Sequence, residues 1–535
     1  MKRILVILIF SVPYYLLLGH SYTIKASNTT LPFSTVSFIY KKSIPILNEP
    51  FDSTLIAPFF AKYPKLKYLK PEVIKLYRKH NYQFVWYDRN GRNEFADLLY
   101  SKINNLDQEG LKIRVPYKEK MQTIFQDYDN RKESNIEIEL LMSSLYFFYF
   151  NRVFKGVDIQ KTQELGWYLP RKKQSYVNRL DSLLQDPSLI NKKDKDLLGQ
   201  YYQLKEALQN YRNIEKKGGW SPIVWPKKMK SLKPGDTADV VLQIRNRLSI
   251  TGDLNFDSKK NWYDNELLAG VLHYKERNAF TRDPDLLPKH IKDMNIPVNE
   301  HIKTIMVNME RCRWISPSLT KTQQYIMVNI PSFNLTYFKN GKPALESKVV
   351  VGKSLNRTVV FSGQMSEIIF SPYWNVPSSI LRKEILPAIA KNANYLEEHD
   401  MEWLGDKVRQ RPGLENSLGL VKFVFPNSFS IYMHDTPSKS LFNEEQRAFS
   451  HGCVRVARAR DLAVAILKDD KNWTPEKIDA AMNSGSEKTY TLTTKIPVYI
   501  GYFTAWVDRD GSIHFYNDIY GHDDRLSELL LSDLL

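Results

Sequence analysis

The chain has 535 residues, 43% apolar and 25% charged, with 22 Gly and 27 Pro; these values exclude collagen-like, low-complexity and disordered classes and imply roughly three or four domains. Two cysteines, Cys312 and Cys453, are too few for a disulfide framework or a four-thiolate metal site. The net charge of +17 is spread over short basic clusters. It favours an anionic partner, but no long Lys/Arg block marks a nucleic-acid arm, so no nucleic-acid partner is expected.

Met1-Lys2-Arg3 precedes an apolar stretch from Ile4 to Gly19 and polar residues from Ser21 onward. A basic start before about 16 apolar residues is the pattern of a secretory signal or an uncleaved N-terminal membrane anchor, since a spanning helix needs about 20. Residues 1–22 are assigned to that segment and export is expected. In an oxidising compartment a lone thiol usually persists for its reactivity.

Residues 50–230 read as mainly helical: Ile138, Leu141, Leu145 and Phe148 recur at helical steps, as do Tyr201, Leu204, Leu208 and Tyr211. A small helical unit follows at 235–297, with Asp236 or Thr237 expected to cap a helix bearing Val241, Ile244 and Leu248. From about 322 the period changes to two. Ile326, Val328 and Ile330 alternate with Tyr325, Met327 and Asn329, and Asn340-Gly341 supplies a hairpin turn before Val349-Val350-Val351. Further strands are expected at 367–370, 421–425 and 429–433, with a helix at 457–468. Residues 375–419 carry two helical patterns inside this β region and read as a lid over the sheet.

The chemistry concentrates in Tyr432-Met433-His434-Asp435-Thr436-Pro437 and Ser450-His451-Gly452-Cys453-Val454-Arg455. A nucleophilic thiol needs a base, and His434 ends one strand nineteen residues before Cys453. If the two segments are adjacent in the sheet, imidazole and thiol can meet. Gly452 allows close backbone approach, and the Cys453 N–H can face an oxyanion. Arg455 adds positive charge that favours thiolate and can hold a substrate carboxylate. A metal site of His434, His451 and Cys453 is the rival reading. No carboxylate or further Cys/His cluster completes a catalytic zinc signature, so no metal or cofactor is expected.

These two motifs resemble the signature of bacterial L,D-transpeptidases of the YkuD type. His-Asp-Thr-Pro-Ser-Lys-Ser-Leu-Phe at 434–442, Trp374-Asn375-Val376-Pro377, Pro497-Val498-Tyr499 and the 502–508 segment resemble the large YcbB-like subfamily. The resemblance implies an α+β multidomain chain. Its parts are a helical scaffold domain at 50–230, a small helical peptidoglycan-binding domain at 235–297, and a mainly β catalytic domain at 298–535. That domain is expected to be a YkuD-like β-sandwich with a helical capping insertion at 375–419.

The resemblance further implies 3→3 cross-linking of peptidoglycan in the periplasm or cell envelope, with stem peptides as partners. Cys453 would be the nucleophile and His434 the base. Gly452, His451 and Ser450 would support the loop and oxyanion, with Arg455, Tyr432 and Trp374 contacting substrate. Two sites depart from the subfamily pattern. Cys312 stands where an aromatic is commoner, which leaves packing as its job, and Thr358-Val359 replaces a Thr-Pro pair in what reads as a loop away from the chemistry. A cysteine L,D-carboxypeptidase or endopeptidase on the same scaffold, and a non-catalytic cell-wall-binding scaffold, remain as alternatives.

Overall fold

The computed structural model describes residues 50–88, 91–126, 134–171, 175–193 and 197–531. The expected signal or anchor at 1–22 lies outside these. Among the described residues no helix is long and apolar enough to cross a membrane.

Among the described residues the region 53–216 is mainly helical, as its periodicity predicts. Its central helix α1 (Asn135–Phe150) opens on Ser134, whose hydroxyl accepts from the Glu137 N–H. The one-sided stripe read from the sequence is only part of the picture, because every residue from Ile138 to Phe150 is buried. A helix buried all round, Glu139, Ser143 and Ser144 included, belongs at the middle of its domain, and neighbouring helices pack against this one. Helix α2 (Gly199–Lys216) buries Tyr201, Leu204, Leu208 and Tyr211, the predicted stripe.

The region 223–294 has its own core, built on Val241, Ile244 and Leu248 of α3 (Val240–Ile250) and on Leu267 and Val271 of α4 (Asn265–Arg277). The cap expected at Asp236 or Thr237 is not used. The helix starts after Asp239, and the Asp236 carboxylate instead accepts from the Lys233 N–H in the preceding turn.

Helix α5 (Val298–Trp314) then runs buried between the helical region and the sheet. Cys312 lies on it, fully buried, and both cysteines are free thiols.

The β region begins with β1 (Gln324–Asn329), β2 (Asn334–Lys339) and β3 (Lys342–Gly352). Asn340 and Gly341, both at positive φ (52° and 73°), make the predicted turn between β2 and β3. Strand β4 (Phe361–Phe370) leads to β5 (Trp374–Asn375), which opens the insertion. Two strands there, β6 (Met401–Leu404) and β7 (Lys407–Gln410), pair with β5 as a small sheet in the order β5-β7-β6. The insertion is therefore mixed where the sequence suggested helices alone. It has a core of its own around Val376, Leu381, Ile385, Met401 and Val408.

The main sheet resumes with β8 (Val421–Val424), β9 (Met433–His434), β10 (Ala448–Ser450) and β11 (Val454–Val456). Helix α6 (Ala459–Leu467) and the long β12 (Lys488–Gly501) follow. The strands run β10-β3-β11-β9-β8-β4-β12-β1-β2, and β2 also pairs with β3. The layers expected as a sandwich thus close into a ring, since β3 is long enough to hold β2 along its first half and β11 along its second. Val328, Val349, Phe423, Met433, Val454 and Val498 fill the inside. The expected strand at 429–433 shrinks to β9, because Ser430 sits at positive φ (55°) and breaks the extended run.

Candidate active site

Register brings the two motifs together. In β9 and β11, which are parallel, Met433 pairs with Val454 and His434 with Arg455. Antiparallel β8 places Lys422 opposite His434 and Phe423 opposite Met433. Side chains at paired positions share a face of the sheet, and successive residues alternate. Met433, Val454 and Phe423 point into the core, so Lys422, His434 and Arg455 form a row on the other face. Tyr432 and Cys453 belong to that same face, one pleat away.

The Cys453 loop arches over the end of β3, because β10 and β11 flank that strand on opposite sides. Ser450 clamps it: the buried hydroxyl donates to the Cys453 carbonyl (2.6 Å) and accepts from the Gly452 N–H (3.1 Å). Gly452 has φ +119°, a conformation that a side chain would strain. Its carbonyl accepts from Thr358 Oγ1 (2.8 Å), which in turn accepts from the Gly352 N–H (2.9 Å). Tyr520 Oη accepts from the Thr358 N–H and donates to the Gly352 carbonyl. The Thr358 loop therefore braces the Cys453 loop, which corrects the view of it as remote from the chemistry.

The half-buried Cys453 thiol donates toward the Ser430 carbonyl, 3.8 Å away. The Tyr432 backbone N–H and hydroxyl also face the sulfur. Burial pushes the thiol above its ordinary range, opposed by Tyr432 hydrogen bonding and by the charges of Lys422 and Arg455. His434, 5% exposed, has Nδ1 2.5 Å from the Asp435 carbonyl oxygen. Burial pushes its pKa down to about 3, with the Arg455 and Lys422 charges acting the same way. The pair is thus neutral thiol with neutral imidazole, and the resting thiol bonds Ser430 where the sequence suggested His434.

Asp435 fixes this end of β9. Its carboxylate accepts from the Leu420 N–H (3.1 Å) and pairs with Lys439. Gly419, at φ +62°, passes so close that a Cβ would lie 2.5 Å from Asp435 Oδ2.

The remaining predicted residues divide. Tyr432 and Trp374 are half-buried, and the Tyr432 hydroxyl faces both Cys453 and Trp374. Arg455 is half-buried and its Nε has no hydrogen-bond partner among the described residues. His451 turns away from the sulfur: its Nε2 lies 2.7 Å from Glu384 Oε1, in the insertion. Among the described residues no three ligand side chains converge as a metal site. The residues alone do not single out Lys422, Ser430, Tyr520 or Glu384, and they place Thr358 away from the site. A lone Lys between the buried Val421 and Phe423 was the one available hint, for Lys422.

Residues 323–500 match the family model of the L,D-transpeptidase catalytic domain, YkuD, and residues 71–208 match a scaffold domain. A Haemophilus influenzae protein provisionally described as an L,D-transpeptidase is 35% identical over 223 residues, 38% of this chain and 45% of that protein. The chain thus spans under half the length of that relative. Among solved structures, an L,D-transpeptidase from Mycobacterium smegmatis is 11% identical, covering 33% of this chain and 58% of that one with a TM-score of 0.20. The catalytic domain of an E. faecium L,D-transpeptidase is 15% identical, covering 33% and 95% with a TM-score of 0.18. The chain carries an L,D-transpeptidase catalytic domain of the YkuD type, which contains the Cys453 loop and His434, together with a scaffold domain.

Proposed function

We propose that the protein is a peptidoglycan L,D-transpeptidase of the cell envelope that forms 3→3 cross-links through a Cys453 thioester. The observation that carries this reading is the shared face of Cys453 and His434 inside the matched catalytic domain. The thiol attacks the carbonyl of the third residue in a donor tetrapeptide stem, and His434, neutral and so able to accept, takes its proton. The C–N bond to the terminal D-Ala breaks, and that amine leaves with the proton from His434. A side-chain amine of a second stem then attacks the thioester, loses a proton through His434 and regenerates the thiol. The Cys453 N–H, on the loop held by Ser450, faces the developing oxyanion; one such donor is worth on the order of 3 kcal/mol. Arg455, with an unsatisfied Nε, is poised for a stem carboxylate.

Incubating the full chain with a defined tetrapeptide muropeptide and weighing the products tests this. A dimer lighter than two donors by one D-Ala is expected. Tripeptide alone would replace the reading with the carboxypeptidase.

The 375–419 insertion would shield the thioester from water through the His451–Glu384 contact. Both partners are partly exposed, so the pair is worth at most about 1 kcal/mol. Glu384→Ala is expected to raise hydrolysis over cross-linking by a few-fold, up to about fivefold, with the acylation rate nearly unchanged. The tripeptide-to-dimer ratio reads this out.

A further inference from the structure

The face that bears Cys453 holds a cation whose role is not explained by its own packing. Lys422 is half-buried, sits across from His434 in the β8–β9 register, and forms no ion pair among the described residues. Leaving an ammonium partly desolvated without a carboxylate is costly. Its Nζ instead lies 4.1 Å from the centre of the Tyr432 ring. Such a cation on a ring face is attracted to it and draws electron density from the phenol, making its O–H a stronger donor.

We infer that Lys422 is a positioning residue for the reaction, acting through Tyr432, whose hydroxyl donates to the Cys453 thiolate as it forms. The inference rests on Cys453 as the reacting group and assigns Tyr432 a role beside that of substrate contact. It also places a fixed positive charge beside the sulfur, where His434, neutral at rest, becomes a cation only as it takes the thiol proton. The other charged or titratable groups around Lys422 are Arg455 on β11, His434 on β9, Tyr432 just before β9, Glu367 on β4 and Glu487 just before β12. Burial holds the Lys422 ammonium below the ordinary lysine range, opposed by the charges of Cys453, Glu487 and Glu367. Burial and the facing Cys453 charge hold the Tyr432 phenol well above its ordinary range, so it stays a donor.

The test follows iodoacetamide alkylation of Cys453 in the full-length chain from pH 6 to 11, by mass of the peptide carrying Cys453. Because the thiol is raised, the wild-type rate should climb with pH through the alkaline range, without a step near pH 6–7 from His434. Removing a positive neighbour raises a thiol further, so Lys422→Gln should shift the curve to higher pH and slow alkylation at pH 7 by about tenfold. Lys422→Arg should restore the profile, and Lys422→Met, which keeps the aliphatic stem, should behave as Gln if Gln perturbs folding. Tyr432→Phe should shift the curve the same way. The double variant should lose less than the sum of the two single losses, because the cation acts through the phenol. Wild-type and Lys422→Met profiles that superimpose, or fully additive losses, would overturn the inference while leaving Cys453 as nucleophile. A Cys453 with no alkylation at any pH would remove the nucleophile reading and this one together.

Discussion

Cys453→Ala is expected to abolish the covalent adduct formed with a tetrapeptide donor or with a carbapenem-type β-lactam, whereas Cys312→Ala should retain it. The two thiols differ in environment more than in sequence context. Cys453 is half-buried on a loop, with a hydroxyl, a backbone N–H and two cations facing its sulfur. Cys312 is inside α5, fully buried, and burial pushes its thiol far above the ordinary range despite Arg311 and Arg313 nearby. A thiol that cannot ionise and cannot be reached is no nucleophile. Loss of a covalent nucleophile costs at least about 10³-fold in rate. Cys312→Ala removes only a buried sulfur, at a cost to stability on the order of 1–2 kcal/mol. Intact-protein mass after incubation separates the two outcomes: an adduct surviving on Cys453→Ala would sink the mechanism.

The largest loss of stability is expected from Glu310→Ala. Glu310 and Arg313, one turn apart on α5, are both buried and joined at 2.9 Å. Arg313 also donates to the carbonyls of Val153 (2.9 Å) and Glu109 (2.5 Å), while Glu310 Oε1 accepts from the Val157 N–H (2.6 Å) and Trp314 Nε1 (2.7 Å). The pair therefore welds α5 to the turn after α1. Gly156 makes that turn at φ +71°, where a Cβ would fall 2.2 Å from Glu310 Oε1. Removing the carboxylate strands the Arg313 charge in the core, which typically costs about 3–5 kcal/mol. That is a large part of the roughly 5–15 kcal/mol available to a domain. Urea unfolding followed by tryptophan fluorescence should show the midpoint fall. Glu310→Gln, which keeps an acceptor for Val157 or Trp314, should lose less. Equal midpoints for wild type and Glu310→Ala would show that Arg313 finds another partner.

Much of this protein was legible in its residues alone. The change of period at about 322, the Asn340-Gly341 turn and the two motifs around His434 and Cys453 are local patterns, and local patterns survive in one dimension. Ser450 and Gly452 belong with them, because a tight loop needs its own clamp and its own φ within a few residues.

Other features exist only once distant segments meet. The Lys422, His434 and Arg455 row depends on a register across three strands, and nothing in any one strand specifies it. Thr358 and Glu384 reach the Cys453 loop from 94 and 67 residues away, and Tyr520 acts on it through Thr358, 162 residues distant, none of which a spacing rule reports. The strands of the insertion are four residues or fewer, too short for a period to stand out. The charge state of His434 was likewise decided in three dimensions. An imidazole is proton acceptor or cation according to how much water and how many positive neighbours surround it, and both follow from packing rather than from the residue's name.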